Sequence, residues 1–165
     1  MITQDQRPSA AGHPDVILLS PTRESQQVPQ DLDCRGAIHD LVIHFYREIA
    51  LDDLLGPFFG EVAEVDWADH IPRLIDYWCR VLLGSPGYDG RILGAHQRVN
   101  EIQAFEPDMF ERWYRLFVAS VDSTWAGPHA EAAKHHALRV SGVLSRRLIG
   151  EPFSPSPLDS AAEVR

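Results

Sequence analysis

Apolar side chains recur at helical spacing four times along this chain. Ile38, Leu41, Val42, Phe45 and Ile49 form one stripe, and Trp67, Ile71, Leu74, Ile75, Trp78 and Leu82 a second. Met109, Phe110, Trp113, Leu116, Phe117 and Val121 form a third; Ala130, Ala133, Ala137, Val140, Leu144 and Leu148 form a fourth. Steps of three and four residues place each set on one face of a helix. Pro107 after Glu106 and Pro128 after Gly127 stand where prolines open helices. No stretch alternates with period two, so the pattern predicts an all-α fold without strands. Between the first two stripes, Leu55-Gly56-Pro57-Phe58-Phe59-Gly60 reads as a tight aromatic turn. Residues 84–90 read as a loop, followed by a short helical piece around Leu93–Val99.

The stripes bound one domain, residues 31–149. Residues 1–30 carry Pro8, Pro14, Pro21 and Pro29 among Ser, Gln and Asp, and read as a flexible N-terminal arm with one apolar patch, Val16–Leu19. Residues 150–165, with Pro152, Pro155 and Pro157, read as a flexible C-terminal tail. A length of 165 residues fits one domain, and 44% hydrophobic residues can fill a core. No run approaches the roughly 18 apolar residues of a membrane span. The first 30 residues lack the succession of a secretory signal, so the cytoplasm is the expected location. A formal charge of −9, with Arg146-Arg147 as the one basic pair, argues against a nucleic-acid partner. Cys34 and Cys79 make no disulfide framework or metal motif, and Cys79 beside Trp78 reads as a small buried thiol.

Two histidines carry the candidate chemistry. His70 shares a helix side with Leu74 and Trp78; His96 follows Leu93-Gly94-Ala95, small enough for a flat ligand to approach. Tyr46 lies at the edge of the first stripe and Trp113 in the middle of the third. Taken alone, each is more often ordinary: His70 a core or boundary residue, His96 an exposed helix-end histidine, Tyr46 and Trp113 plain core. Together, Tyr46, His70 and Trp113 are three hydrogen-bond donors that could converge on one ligand, with His96 as an axial ligand opposite. That is the donor set a gas-binding haem needs. No phosphate loop, GxSxG, HExxH or CxxC is present. His135-His136 is an exposed-looking doublet whose side chains diverge on a helix.

The order of features is specific. Phe45-Tyr46 is followed by Leu55-Gly56-Pro57-Phe58-Phe59, Asp66-Trp67 with His70, Tyr77-Trp78 and Val81-Leu82-Leu83-Gly84. Then come Tyr88-Asp89-Gly90, His96, Phe110-Glu111-Arg112-Trp113 and Leu116-Phe117. This ordered set resembles the truncated haemoglobins, group III of the bacterial type, over residues 38–148. The resemblance implies a shortened globin fold, two helix pairs stacked two over two around one haem b. It implies His96 as the proximal iron ligand, as in globins generally. It implies Tyr46, His70 and Trp113 as the distal cluster, Phe59 as the aromatic wedged against the haem, and Leu74 and Trp78 as distal lining. Arg73 is the candidate partner of a haem propionate. The chain departs from the family pattern at Ile92 and near Val99-Asn100, where prolines are usual, and in its N-terminal arm.

Donors aimed at a ligand that has drawn negative charge contribute roughly 1.5–3 kcal/mol each and slow its escape. Such a pocket suits holding dioxygen for redox or nitric-oxide-related chemistry, with an unidentified reductase, better than delivering it. Dioxygenase or peroxidase-like turnover is compatible with this pocket. An oxygen carrier or sensor, and a haem-free helical interaction domain, are the rival readings.

Overall fold

The computed structural model describes residues 29–88, 90 and 92–156. The first apolar stripe folds as α1 (Arg35–Leu51) and the second as α3 (Trp67–Leu83); the third and fourth fold as α5 (Pro107–Asp122) and α6 (Pro128–Leu148). Each stripe faces the interior: Ile38, Leu41, Val42, Phe45 and Ile49 are all buried, as are Ile75 and Trp78, Phe117 and Val121, and Ala130, Ala133 and Ala137. Phe45, Trp78 and Phe117 are the largest enclosed side chains, and burying each contributes about 1.5–3 kcal/mol.

Contacts between helices define the layers. α1 packs on α3 and α5 packs on α6; α1 also meets α5, and α3 meets α6. The result is one helix pair laid over another, the all-α two-over-two arrangement that the sequence leads one to expect. Among the described residues there is no strand, only an isolated bridge between Gln30 and Trp125.

Local sequence explains the ends of these helices. Asp66 caps α3 by accepting from the Ala68 amide at 3.0 Å. Gly84 closes it at φ 67°, and the amides of Gly84 and Ser85 return to the carbonyls of Arg80 and Cys79; that left-handed stop is one glycine adopts readily. Pro107 and Pro128 open α5 and α6.

Two elements differ from the sequence expectation. The aromatic turn at 55–60 is a short helix, α2 (Leu55–Pro57), running on into a π-helical turn over Phe58–Val62. Asp52 holds this corner: its buried carboxylate accepts from the amides of Leu54 and Leu55 and from Arg112 Nε on α5 at 2.5 Å. The second is α4 (Ile92–Ile102), an 11-residue helix rather than a short piece. Neither Ile92 nor Val99-Asn100 is a proline, so nothing removes an amide or clashes with a preceding carbonyl. Asn100 then ties this helix down, donating to the Leu148 carbonyl at 3.2 Å and accepting from the Phe105 amide at 2.9 Å.

The expected N-terminal arm lies outside the described residues except for its last two, and so does the Val16–Leu19 patch. Of the expected tail, residues 150–156 are described and make contacts: Ser145 Oγ donates to the Glu151 carbonyl, and Phe153 meets Tyr114 with ring centres 5.9 Å apart.

Candidate functional site

Helix α1 presents Tyr46 into the interior between α3 and α5. Its hydroxyl lies in hydrogen-bonding range of Trp113 on α5, and its ring meets His70 of α3 at 5.8 Å, edge to face. Burial pushes the Tyr46 pKa well above its usual value, and the Trp113 hydrogen bond offsets only part of that. The phenol therefore keeps its proton at physiological pH and remains a donor. Indole N–H can only donate, so in any hydrogen bond between the two Trp113 is the donor and the Tyr46 oxygen the acceptor. The Tyr46 proton is left for a third group. Thus the structure brings together the three expected donors.

The corner supplies aromatic walls. Phe59 stacks on Trp67, with ring centres 6.1 Å apart and planes 10° from parallel. Both approach Tyr46, at 6.2 and 5.8 Å, and Trp67 also meets His70. Trp67 stands three residues before His70, so the two share a helix face. The sequence places Trp67 in the second stripe and beside His70 in the ordered set without giving it a role at the site; the three-residue spacing is the signal that points to one. Behind the donors, Trp113, Phe117 and Trp78 form a stack, their planes within 14° of one another pairwise. Trp78 is fully enclosed in this stack, whereas Leu74 is partly buried against the core.

Helix α4 carries His96. Its Nδ1 lies 2.8 Å from the Ile92 carbonyl one turn back. A carbonyl can only accept, so Nδ1 holds the proton and Nε2 carries a free lone pair. Desolvation lowers the His96 pKa, against the Ile92 hydrogen bond. His70 is lowered as well, first by burial and then by the charge that His96 would carry. The two imidazoles are near enough for the charge of one to act on the other, and both favour the neutral form. Among the described residues neither His70 nor the Nε2 of His96 has a hydrogen-bond partner. Phe105, which the sequence reading did not single out, lies 6.0 Å from the His96 ring.

Arg73 stands apart from this arrangement. It is exposed and ion-paired with Asp69 one turn earlier. His136 is not the exposed member of a doublet that its sequence indicated. His135 is exposed, but His136 packs beside Trp78 and hydrogen-bonds Tyr77. Cys79 is buried as expected and Cys34 is exposed.

The donor set restricts what could be held. Among the described residues no three His, Cys, Asp or Glu side chains are grouped to bind a metal ion. A single neutral imidazole with an oriented Nε2 can occupy only one coordination position. It fits a metal whose remaining ligands arrive with it, in a flat macrocycle walled by aromatic and aliphatic side chains. Among the described residues no helix is long and apolar enough to cross a membrane.

No family model matches the chain. It is 29% identical over 89 residues to a group 3 truncated haemoglobin of Campylobacter jejuni, spanning 52% of this chain and 68% of that protein. The crystal structure of a group III truncated haemoglobin from the same organism superposes with a TM-score of 0.64 at 23% identity, covering 73% of this chain and 95% of that one.

Proposed function

We propose that this chain, which has the truncated-haemoglobin fold and resembles group III in sequence, is a haem protein that binds dioxygen and other small diatomic ligands. The observation that carries the reading is His96, its Nδ1 held by the Ile92 carbonyl so that Nε2 is free, within electrostatic reach of His70 in the Tyr46–Trp113 cluster. When bound, haem b would supply an iron centre that takes a diatomic ligand and exchanges electrons with it. His96 is the residue that would hold it, oriented by the Ile92 carbonyl. Phe59, Leu74 and Trp67 would wall its faces, with Trp78 fixing α3 from behind. Arg73 would reach a propionate after giving up Asp69.

On the ligand side, Trp113 fixes the Tyr46 oxygen, and the Tyr46 proton is aimed by packing rather than by a flexible stem. His70 has a ring nitrogen to add, as donor or as gate. Such a cluster retains a negatively polarised ligand, which favours redox or nitric-oxide-related chemistry over delivery. An unidentified reductase and a cytoplasmic setting complete the proposal.

The absorption spectrum of the purified protein, or of the apoprotein given hemin, tests this. A strong Soret band is expected, and it should be lost or severely weakened in His96→Ala while His135→Ala leaves it unchanged. No Soret band in the unaltered chain, or full haem retention with an unaltered ferrous spectrum in His96→Ala, would overturn the reading.

A further inference from the structure

An unbroken run of aromatic rings leads away from the Tyr46–Trp113 cluster, through the core, to the side of α3 that faces α6. Trp113 is in hydrogen-bonding range of the Tyr46 hydroxyl. Its ring lies nearly parallel to Phe117, with centres 5.6 Å apart, and Phe117 lies nearly parallel to Trp78 at 4.7 Å. Trp78 meets Tyr77 edge to face at 5.3 Å. We propose that this run is an electron path, along which Tyr77 supplies electrons to hydrogen peroxide reduced at the proposed site. The proposal rests on the haem reading and adds to it a second place of oxidation, remote from the ligand pocket.

Indole and phenol rings give up an electron far more readily than a phenyl ring. Trp113, Trp78 and Tyr77 are therefore the carriers. Phe117 is not oxidised, but it fills the gap between the two indoles, within 14° of parallel to each. Electron transfer falls off steeply with distance, so short steps between packed rings outrun one long jump. Phe117 and Trp78 are fully enclosed, and Tyr77 is half-buried. The run is thus shielded in its middle and meets the surface at Tyr77.

The surroundings of Tyr77 suit the end of such a path. Burial pushes its pKa up to about 12, so the phenol is neutral and must shed a proton as it loses an electron. Arg139 Nη2 lies 2.6 Å from His136 Nδ1. A guanidinium only donates, so neutral His136 carries its proton on Nε2 and points it at the Tyr77 oxygen. The phenol's own proton lies outside that bond and passes to solvent. In the full cycle, hydrogen peroxide takes up two electrons and two protons, its O–O bond breaks, and two waters leave. Tyr77 replaces the electrons one at a time, each time losing one proton and becoming a neutral phenoxyl radical. An external phenol returns one hydrogen atom to Tyr77 on each occasion and is itself oxidised to a phenoxyl radical.

Spin trapping tests the path. The hemin-loaded full chain is treated with hydrogen peroxide and a nitroso spin trap, and the adducts are located by peptide mass spectrometry. Circular dichroism and the Soret band establish folding and loading of each variant. The unaltered chain should carry an adduct on Tyr77. Trp78→Phe keeps a ring in the stack but removes a carrier, so the Tyr77 adduct should be lost. Trp78→Tyr restores an oxidisable ring and should restore the adduct. Trp113→Phe breaks the path at its inner end and should also lose the adduct, which covers the case in which Trp78→Phe does not fold. Trp67, with its ring 5.8 Å from Tyr46, is the rival carrier at the site. Adducts on Trp67 or Tyr46 alone in the unaltered chain, or a Tyr77 adduct undiminished in a folded Trp78→Phe or Trp113→Phe protein, would overturn the path and leave the haem reading standing. Absence of the Soret band from the unaltered chain would overturn the haem reading and the path together.

Discussion

At the scale of single residues, the site depends on who donates to whom. Trp113 has one proton and lies in range of the Tyr46 oxygen, which it can only donate to, so on the proposed reading Tyr46 is the donor that would reach a bound diatomic ligand. Replacing Tyr46 by Phe deletes that proton with little change of volume. Dioxygen dissociation from the ferrous protein should accelerate about tenfold or more, as expected for one hydrogen bond to a charged acceptor. Carbon monoxide dissociation should change little, because carbon monoxide carries less negative charge. Trp113→Phe should act in the same direction but more weakly, by freeing the Tyr46 ring to lose its aim. Stopped-flow ligand displacement measures all of these rates, and dioxygen rates unchanged from those of the unaltered protein in both single variants and in the double variant would mean the cluster does not touch the ligand. His70 and Trp113 stand out in sequence by helical steps from apolar neighbours, Tyr46 by its place at the edge of a stripe and His96 by the small residues before it, and it is the family resemblance that assigns the four to one site. Asp52 and Phe105 do not stand out. What makes them matter is contact across long separations, Asp52 with Arg112 and Phe105 with His96, and one sequence carries no sign of either pairing.

At the scale of elements, helical period and proline placement foretold the four long helices, whereas the π-helical corner and the length of α4 escaped. A corner built on buried Asp52 has no periodicity to read. The start of α6 shows a similar long-range dependence. Asp31 reaches across to cap it, accepting from the amides of His129 and Ala130 at 3.1 and 2.9 Å and from His129 Nδ1 at 2.8 Å. Gly127 makes the approach possible: its φ is 137°, and a Cβ there would lie 2.6 Å from the Asp31 carboxyl carbon. Gly127→Ala should cost at least about 1 kcal/mol through backbone strain alone, read as a lowered Tm. Desolvation opposes ionisation of Asp31, but its hydrogen bonds prevail and hold its pKa at about 2, against 3.8 ordinarily. A lowered folded-state pKa adds stability that is present above 3.8 and lost as pH falls toward about 2. For Asp31 this amounts to about 2 kcal/mol. Urea unfolding of the chain and of Asp31→Asn should therefore differ most near neutrality and converge across that acid interval. Asp52, whose pKa is also lowered, adds to the acid loss in both proteins.

At the scale of the whole molecule, the proposed site draws on α1, the corner, α3, α4 and α5, all within residues 35–122. α6 closes the second layer and supports α3 and α4 from outside. The described segments at either end are tied to this frame by contacts with residues outside the proposed site. The Gln30 carbonyl accepts from the Ala126 amide at 3.2 Å, and Leu32 is fully buried. At the other end, Ser156 is held by Glu111 and Arg115 of α5. These contacts set where the chain can be cut. A protein spanning residues 29–156 should match the full chain in Tm and in haem retention, since residues 1–28 and 157–165 contribute nothing to the periodic stripes. Cutting further, to residues 31–150, removes the Gln30 bond, the Phe153 contact with Tyr114 and the Ser156 clamp. That shorter protein should unfold several degrees lower yet retain a Soret band, because none of the lost groups belongs to the site. Thermal melts followed at the Soret wavelength and by circular dichroism separate the two effects. If the 29–156 protein folds but loses haem, part of the pocket lies before residue 29, and the apolar run Val16–Leu19 is the first segment to restore.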